Sequence, residues 1–192
     1  MRRTLREAIV TKRVLLLLAL LPLTTLAAGK FSVESTEVKP NQKIADAHVF
    51  KGFGCEGANV SPSLTWKNAP AGTKSFAVTV YDPDAPTGSG WWHWVVFNIP
   101  ANVTSLPAGA SDPAAGKLPK GAVQSRTDFG KPGYGGPCPP QGDKPHRYIF
   151  KVFALKTDKL DLDESASGAL VGFMLNANKL GTAEFTATYG RK

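Results

Sequence analysis

Short runs of apolar or alternating residues recur between residues 30 and 190, separated by clusters of Gly, Pro, Asn and Asp. The clearest runs read KFSVES, SLTWKN, KSFAVTVY, WWHWVVFNI, HRYIFKVFAL and AEFTATYG. Strands of this length, with turn-forming residues between them, are typical of an antiparallel β-sandwich. The pattern therefore predicts a mostly β fold.

Two of these runs indicate where the core lies. KSFAVTVY places Phe76, Val78 and Val80 on one face, because successive side chains of a strand point to opposite faces. WWHWVVFNI is apolar on both faces as far as Phe97. A strand that is apolar on both faces is buried on both, so we expect this second strand to be central in its sheet.

One segment departs from the strand pattern. SASGALVGFMLNANKLG repeats apolar residues at Leu170, Phe173, Met174 and Ala177, with acidic residues before it and Gly181 after it. This spacing is that of an amphipathic helix with start and stop signals. We expect those four side chains to form its buried face, and Gly181 to end it.

The first 28 residues have the composition of a secretory signal peptide. A basic segment precedes the apolar run VLLLLALL, and small residues follow as far as Ala27 and Ala28. The run is much shorter than the ~20 residues of a membrane-spanning helix. The sequence predicts a signal peptide over residues 1–28 and one domain over residues 29–192, in a periplasmic or secreted protein.

Charge and cysteine content limit the partners and the compartment. The formal net charge is +8, but without residues 1–28 it becomes +4, with 18 basic and 14 acidic residues. The lysines are scattered, which argues against a nucleic-acid groove. Cys55 and Cys138 form an even pair in an exported chain, which favours a disulfide. It would close a loop of about 80 residues, worth roughly 4 kcal/mol in the chain-entropy model.

Several familiar motifs are set aside. GFGCEG at residues 52–57 matches the Gly-x-Gly-x-x-Gly sequence pattern of dinucleotide-binding folds. However, a proline-containing segment follows it where that fold requires a helix to begin. The histidines His48, His93 and His146 lack the close spacing of zinc sites. A cysteine protease built on Cys138 and His146 would need a thiol, which the disulfide removes. We expect neither a metal nor another cofactor.

Four polar residues occur where apolar strands begin or end. Asp82 ends one strand, His93 opens the next, and His146 and Tyr148 share one face at the start of another. A lone histidine at a strand end is more often a capping group than a ligand. A buried carboxylate beside two imidazoles, however, favours their charged forms. Together these residues predict a pocket for a small anion.

The segment YDPDAPTGSGWWHWVVFNIP, followed by a Gly/Pro-rich loop and GDKPHRYIFKVFAL, resembles the phosphatidylethanolamine-binding protein family, also called Raf kinase inhibitor proteins. It is most similar to the bacterial YbhB/YbcL-like branch, and the resemblance extends from KFSVES to TATYG. It implies a β-sandwich with a large antiparallel sheet, a smaller sheet and one or two short helices. It also implies a small cavity for phosphate-like anions, such as the head group of phosphorylethanolamine.

The resemblance assigns roles to residues of this chain. Asp82 would orient and charge a histidine, or meet an ammonium group or a protonated oxygen of the ligand. Protonated His93 and His146, the Tyr148 hydroxyl and backbone N–H groups before His146 would hold the anion. The bonds before Pro83 and Pro86 would be cis. The implied ligand-binding residues are Asp82, Trp91, His93, Cys138, Pro139, Pro140, His146 and Tyr148.

Cys138 departs from the pattern, since eukaryotic relatives commonly have glycine there. A disulfide at this position would stiffen the rim of the cavity.

These observations favour an exported protein that binds small phosphorylated or anionic head groups without turnover. A protease or kinase inhibitor acting through surface loops is the alternative. An acid-base enzyme using Asp82, His93 and His146 is less favoured, because no nucleophile or cofactor motif accompanies them. Membrane contact is not expected without a basic amphipathic helix. A homodimer, an unidentified protein partner and modulation of other proteins stay open.

Overall fold

The computed structural model describes residues 29–192, so the predicted signal peptide lies outside the described residues. Within residues 29–192, no helix is long and apolar enough to cross a membrane. The α-helix α1 spans Gly168–Asn178, and short 3-10 turns lie at Asp46–His48 and Pro113–Ala115. The strands are β1 Ser32–Glu34, β2 Lys51–Gly52, β3 Cys55–Glu56, β4 Leu64–Lys67, β5 Ser75–Asp82, β6 Trp91–Pro100, β7 Ser105–Leu106, β8 Val123–Gln124, β9 His146–Leu155 and β10 Lys179–Tyr189.

The strands form a large and a small antiparallel sheet. The large sheet has the order β10-β9-β5-β6-β8, and the small one has the order β1-β4-β7. β2 and β3 form a separate hairpin. The predicted mostly β sandwich is confirmed, and each quoted run contains a strand.

The large sheet is buried on both faces. Phe76, Val78 and Val80 of β5 lie in the core between the two sheets, as predicted. Val95 and Phe97 of β6 point the other way, into a second core beneath α1. The predicted burial of β6 is therefore confirmed, but its predicted central position is wrong. β5 is the middle strand, and beyond β6 only the two-residue strand β8 pairs with it.

The predicted helix is present, but its buried face was assigned incorrectly. Leu170 and Phe173 are 45% and 69% exposed, and Ala177 is exposed too, whereas Met174 packs half-buried against the second core as predicted. The fully buried positions are Gly168, Val171 and Leu175. Gly168 and Gly172 face Trp92 and let the helix lie directly on its ring. A Cβ atom at Gly168 would come 2.4 Å from the indole. The helix is therefore oriented by its close packing on Trp92 and not by the face that carries the most apolar residues.

The end of the helix also differs from the prediction. The Ser167 hydroxyl caps the start by accepting from Leu170 N–H at 3.2 Å. The helix ends at Asn178, and β10 begins at the next residue. Gly181 does not stop the helix, because it lies inside β10 at an irregularity in the pairing with β9.

Two glycine substitutions in α1 should have opposite effects. Gly168→Ala should lower the free energy of unfolding by about 1–3 kcal/mol, because its methyl group overlaps the Trp92 ring. Gly172→Ala, whose Cβ would lie 3.5 Å from the same ring, should be neutral or stabilising by up to about 1 kcal/mol. Urea unfolding of both variants measures the difference; equal effects would contradict this packing.

Candidate functional site

A cavity of about 160 Å³ lies where the end of β5 meets the starts of β6 and β9. These ends adjoin because β5 is antiparallel to both neighbours. His48 is not among the lining residues; its Nδ1 lies 2.8 Å from Val60 O. All eight residues implied by the resemblance line the cavity, together with Phe53, Ala85, Pro86, Thr87 and Phe129.

Asp82 and His146 form a buried pair beside the cavity. Asp82 Oδ2 lies 2.8 Å from His146 Nδ1, and both side chains are almost fully buried. Asp82 Oδ1 accepts from the N–H groups of Asp84 at 2.7 Å and Ala85 at 3.1 Å. Both carboxylate oxygens are therefore engaged, and the histidine that Asp82 orients is His146.

The DPDAP turn is built from trans peptide bonds. No described peptide bond is cis, including those before Pro83 and Pro86, so the implied cis bonds are wrong. The two hydrogen bonds from Asp84 and Ala85 to Asp82 Oδ1 make an Asx-type turn. That turn reverses the chain without a cis bond.

The second ring nitrogen of His146 faces another carboxylate. His146 Nε2 lies 3.4 Å from Oδ2 of Asp143, whose side chain is 41% exposed. Only a doubly protonated imidazole can donate to carboxylates on both nitrogens at once. An anion that accepts from Nε2 would have to take the place of the Asp143 carboxylate. Asp143 was not among the predicted site residues.

His93 differs from the predicted cationic donor. Its Nδ1 lies 2.6 Å from the Gly135 carbonyl oxygen, which can only accept, so Nδ1 carries a hydrogen. Burial lowers the pKa of His93 to about 4, although the Gly135 hydrogen bond and the Asp82 charge act in the opposite direction. At neutral pH the ring is uncharged, and Nε2 is an acceptor. Burial thus acts against the predicted imidazolium at this position, because desolvation outweighs the nearby carboxylate.

Tyr148 places a hydroxyl in the cavity wall. The residue is 1% exposed, and among the described residues its hydroxyl has no hydrogen-bond partner. Its ring lies edge-on to His93, with 5.1 Å between the ring centroids. Burial raises the pKa of the Tyr148 phenol well above its ordinary value, so the hydroxyl keeps its proton. A buried hydroxyl without a partner costs about 1–3 kcal/mol, which a bound acceptor would recover.

Two backbone donors of the loop before His146 already have protein partners. The N–H groups of Gly142 and Asp143 donate to the carbonyls of Arg191 and Pro140, each at 3.3 Å. These two predicted anion donors are therefore engaged. Arg191 in turn donates from Nε to Pro139 O at 2.5 Å and from Nη1 to Gly54 O at 3.1 Å. Its position next to the last residue carries no motif that would have predicted this role.

The rim carries the predicted disulfide. Cys55 and Cys138 are bonded, which confirms the pairing and joins the β2–β3 hairpin to the loop that lines the cavity. Phe53 at the tip of that hairpin was missed, although its position two residues before Cys55 is a signal that could have found it. Phe129 lies in the Gly/Pro-rich connection, where no periodicity marks it.

Comparisons with known proteins agree with this fold. The chain is 65% identical over 162 residues to the UPF0098 protein YbcL of Escherichia coli, covering 84% of this chain and 88% of that protein. It is 52% identical over 155 residues to the UPF0098 protein YbhB of the same organism, covering 81% and 97%.

The solved structures agree as well. The crystal structure of E. coli YbcL, described as a new member of the mammalian PEBP family, aligns with a TM-score of 0.83 at 64% identity, covering 85% of this chain and 100% of that one. A putative phosphatidylethanolamine-binding protein homolog of Chlamydia trachomatis aligns with a TM-score of 0.70 at 28% identity, covering 84% and 98%. The family model for phosphatidylethanolamine-binding protein matches residues 34–190, and this chain belongs to that family.

Proposed function

We propose that this protein binds a small phosphate-type oxyanion in the cavity and does not transform it. The observation that carries the proposal is the buried Tyr148 hydroxyl, which lines the cavity without a protein partner among the described residues. His93 borders the same cavity and supplies an acceptor at Nε2. A ligand held by both groups must accept one hydrogen bond and donate another.

This pair of groups favours a protonated oxyanion. The singly charged form of a phosphate monoester carries both a P–OH and unprotonated oxygens, and its second pKa is about 6. Its P–OH would donate to His93 Nε2, and an unprotonated oxygen would accept from Tyr148. His146 becomes a further donor where the ligand replaces Asp143 at Nε2. The proposed site therefore needs one proton shared between the ligand and His93 Nε2.

Binding without turnover is favoured by the state of Asp82. Acid-base chemistry needs a carboxylate or imidazole that can take a proton from the substrate. Both oxygens of Asp82 already accept hydrogen bonds from His146 and the turn backbone. Asp82 is therefore unavailable as a base. His93 and His146 remain, but no nucleophile or cofactor motif accompanies them in the sequence, which favours binding over turnover.

Export is the other part of the proposal. A disulfide between Cys55 and Cys138 is typical of an oxidising compartment, and the composition of residues 1–28 is that of a signal peptide. We propose a periplasmic or secreted location. Modulation of other proteins, a homodimer and the inhibitor alternative stay predictions.

Tyr148→Phe should separate binding from stability. Removing a buried hydroxyl that has no partner should leave the free energy of unfolding unchanged or raise it by up to about 1 kcal/mol. The same change should lower the affinity for phosphate and for phosphorylethanolamine by about tenfold, because it deletes a hydrogen bond to a charged ligand. Titration calorimetry and urea unfolding measure the two effects.

Tyr81→Phe is the matched control. Tyr81 donates its hydroxyl to Ser89 O at 2.8 Å near the same turn but does not line the cavity. The Tyr81→Phe variant should bind both ligands as tightly as the wild type. If neither ligand gives saturable heat with the wild-type protein, the proposed function is wrong.

A further inference from the structure

The tip of the β2–β3 hairpin lies at the mouth of the cavity. Phe53 occupies this tip and lines the cavity, although 70% of its surface is exposed. Its φ is +53°, a left-handed conformation that a bulky residue rarely adopts. An exposed aromatic side chain in an unfavourable backbone conformation needs neighbouring contacts that hold it there.

Those contacts come from both sides of the cavity mouth. The Cys55–Cys138 disulfide follows Phe53 by two residues, and Cys138 Sγ lies 3.5 Å from Phe53 O in van der Waals contact. Arg191 donates to the carbonyl of Gly54 at 3.1 Å while also binding Pro139 O. The hairpin tip is therefore tied to the cavity loop covalently and by hydrogen bonds.

The ring of Phe53 continues an aromatic surface that begins inside the cavity. Phe53 and Phe129 are nearly parallel, with an interplanar angle of 18° and 6.0 Å between centroids. Phe129 lies edge-on to Trp91 and to His93, each at 5.4 Å. We define Phe53, Phe129 and Trp91 as the aromatic wall. It runs from the polar floor at His93 to the mouth.

The aromatic wall determines what a ligand meets beyond its anionic group. The cavity is also lined by the prolines Pro86, Pro139 and Pro140. The ionisable lining residues other than Tyr148 are Asp82, His93 and His146, and Asp82 is already fully hydrogen-bonded. Among the lining residues no carboxylate is free to pair with an ammonium group, so only contact with a ring face remains for it. A flat apolar group can pack on the rings directly.

We propose that Phe53 selects oxyanion esters bearing an aromatic or other flat apolar substituent. The inference rests on the proposed function, since the anionic group would occupy the floor at His93 and Tyr148. The substituent packs on the aromatic wall, with Phe53 covering it from the mouth. Bare phosphate uses only the floor and makes no contact with Phe53.

Titration calorimetry with inorganic phosphate, phenyl phosphate and phosphorylethanolamine tests this selection. The wild type should bind phenyl phosphate on the order of fivefold to tenfold more tightly than phosphate. Phe53→Gly and Phe53→Asn should abolish this preference while leaving phosphate affinity unchanged. Both replacements accept a positive φ, so the hairpin keeps its backbone conformation.

Phe173→Ala is the matched control, because Phe173 is equally exposed, at 69%, but lies on α1 and does not line the cavity. It should retain the preference for phenyl phosphate. The inference is overturned if the wild type binds phosphate and phenyl phosphate with equal affinity. It is also overturned if the Phe53 variants lose affinity for both ligands to the same extent. If the Phe53 variants lose affinity for phosphorylethanolamine alone, the inference is overturned as well, because Phe53 would then recognise a cation. Absence of binding by all three ligands would instead contradict the proposed function on which it rests.

Discussion

Acidification from pH 7 to pH 4 should remove about 3 kcal/mol of folding free energy through His93 alone. Burial lowers the pKa of His93 from 6.5 to about 4, so between these values the unfolded chain binds a proton that the folded protein does not. Each pKa unit corresponds to about 1.4 kcal/mol. This contribution is fully present above pH 6.5 and is lost as the pH falls toward 4.

His93→Asn isolates the effect, because its amide still offers a donor to the Gly135 carbonyl. The groups that face His93, including Asp82, Asp128 and Tyr148, are unchanged in this variant. Urea unfolding of both proteins at pH 4, 5.5 and 7 should show the extra loss only in the wild type. The same pH slope in both proteins would mean that His93 is not neutral in the folded state.

Ligand affinity provides a second readout of the same residue. If one proton is shared between the ligand and His93 Nε2, affinity for phosphate monoesters should fall by about tenfold per pH unit above the ester's pKa of about 6. Sulfate, which carries no proton at neutral pH, should bind weakly. In His93→Asn this pH slope should flatten. Affinity that does not fall between pH 6.5 and 8.5 would indicate a dianion held by cationic donors.

Removing the disulfide should have the other large effect. Replacing Cys55 and Cys138 by serine should lower the free energy of unfolding by about 4 kcal/mol, within a usual range of roughly 2–5. The physical reason is the sequence separation of 83 residues, which leaves the unfolded chain a long loop that the bond otherwise closes. Urea unfolding under non-reducing conditions measures the change.

The single variants Cys55→Ser and Cys138→Ser serve as controls, because either one breaks the same bond. Each should cost nearly as much as the double variant. A loss below about 1 kcal/mol in all three would show that the denatured chain gains little freedom from losing the bond. Losses that differ strongly between the single variants would point to packing at one sulfur instead of to loop closure.

Much of the fold was readable from local pattern. The run containing Phe76, Val78 and Val80 became β5, and the two-sided apolar run became the doubly buried β6. The helix was predicted in the right place but with the wrong face, because periodicity counts apolar residues and does not see close packing. Gly168 lies on Trp92, and this contact left Leu170 exposed.

For the candidate site, the sequence predicted which residues come together better than it predicted their charges and contacts. Strand parity and the family resemblance named eight residues, and the structure brings all of them to one cavity. Burial acts against the predicted charge of His93, because a pKa depends on burial and on partners that no sequence pattern displays. Arg191 was missed because its contact with Pro139 joins segments far apart in the sequence. Phe129 and Asp143 were missed because both lie in loops without a repeating pattern, although Asp143 is only three residues before His146.

By itself, the sequence determined the longer strands but not the two-residue strands β2, β3, β7 and β8. It also determined which polar residues stand at strand ends and which two cysteines were available to pair. These are local properties, set by side-chain alternation, turn chemistry and composition. Only the tertiary structure decided that Asp82 holds His146, that His93 is neutral, and that Phe53 stands at the mouth of the cavity. Those outcomes depend on desolvation and on contacts between distant segments, which arise only when the sheets pack together.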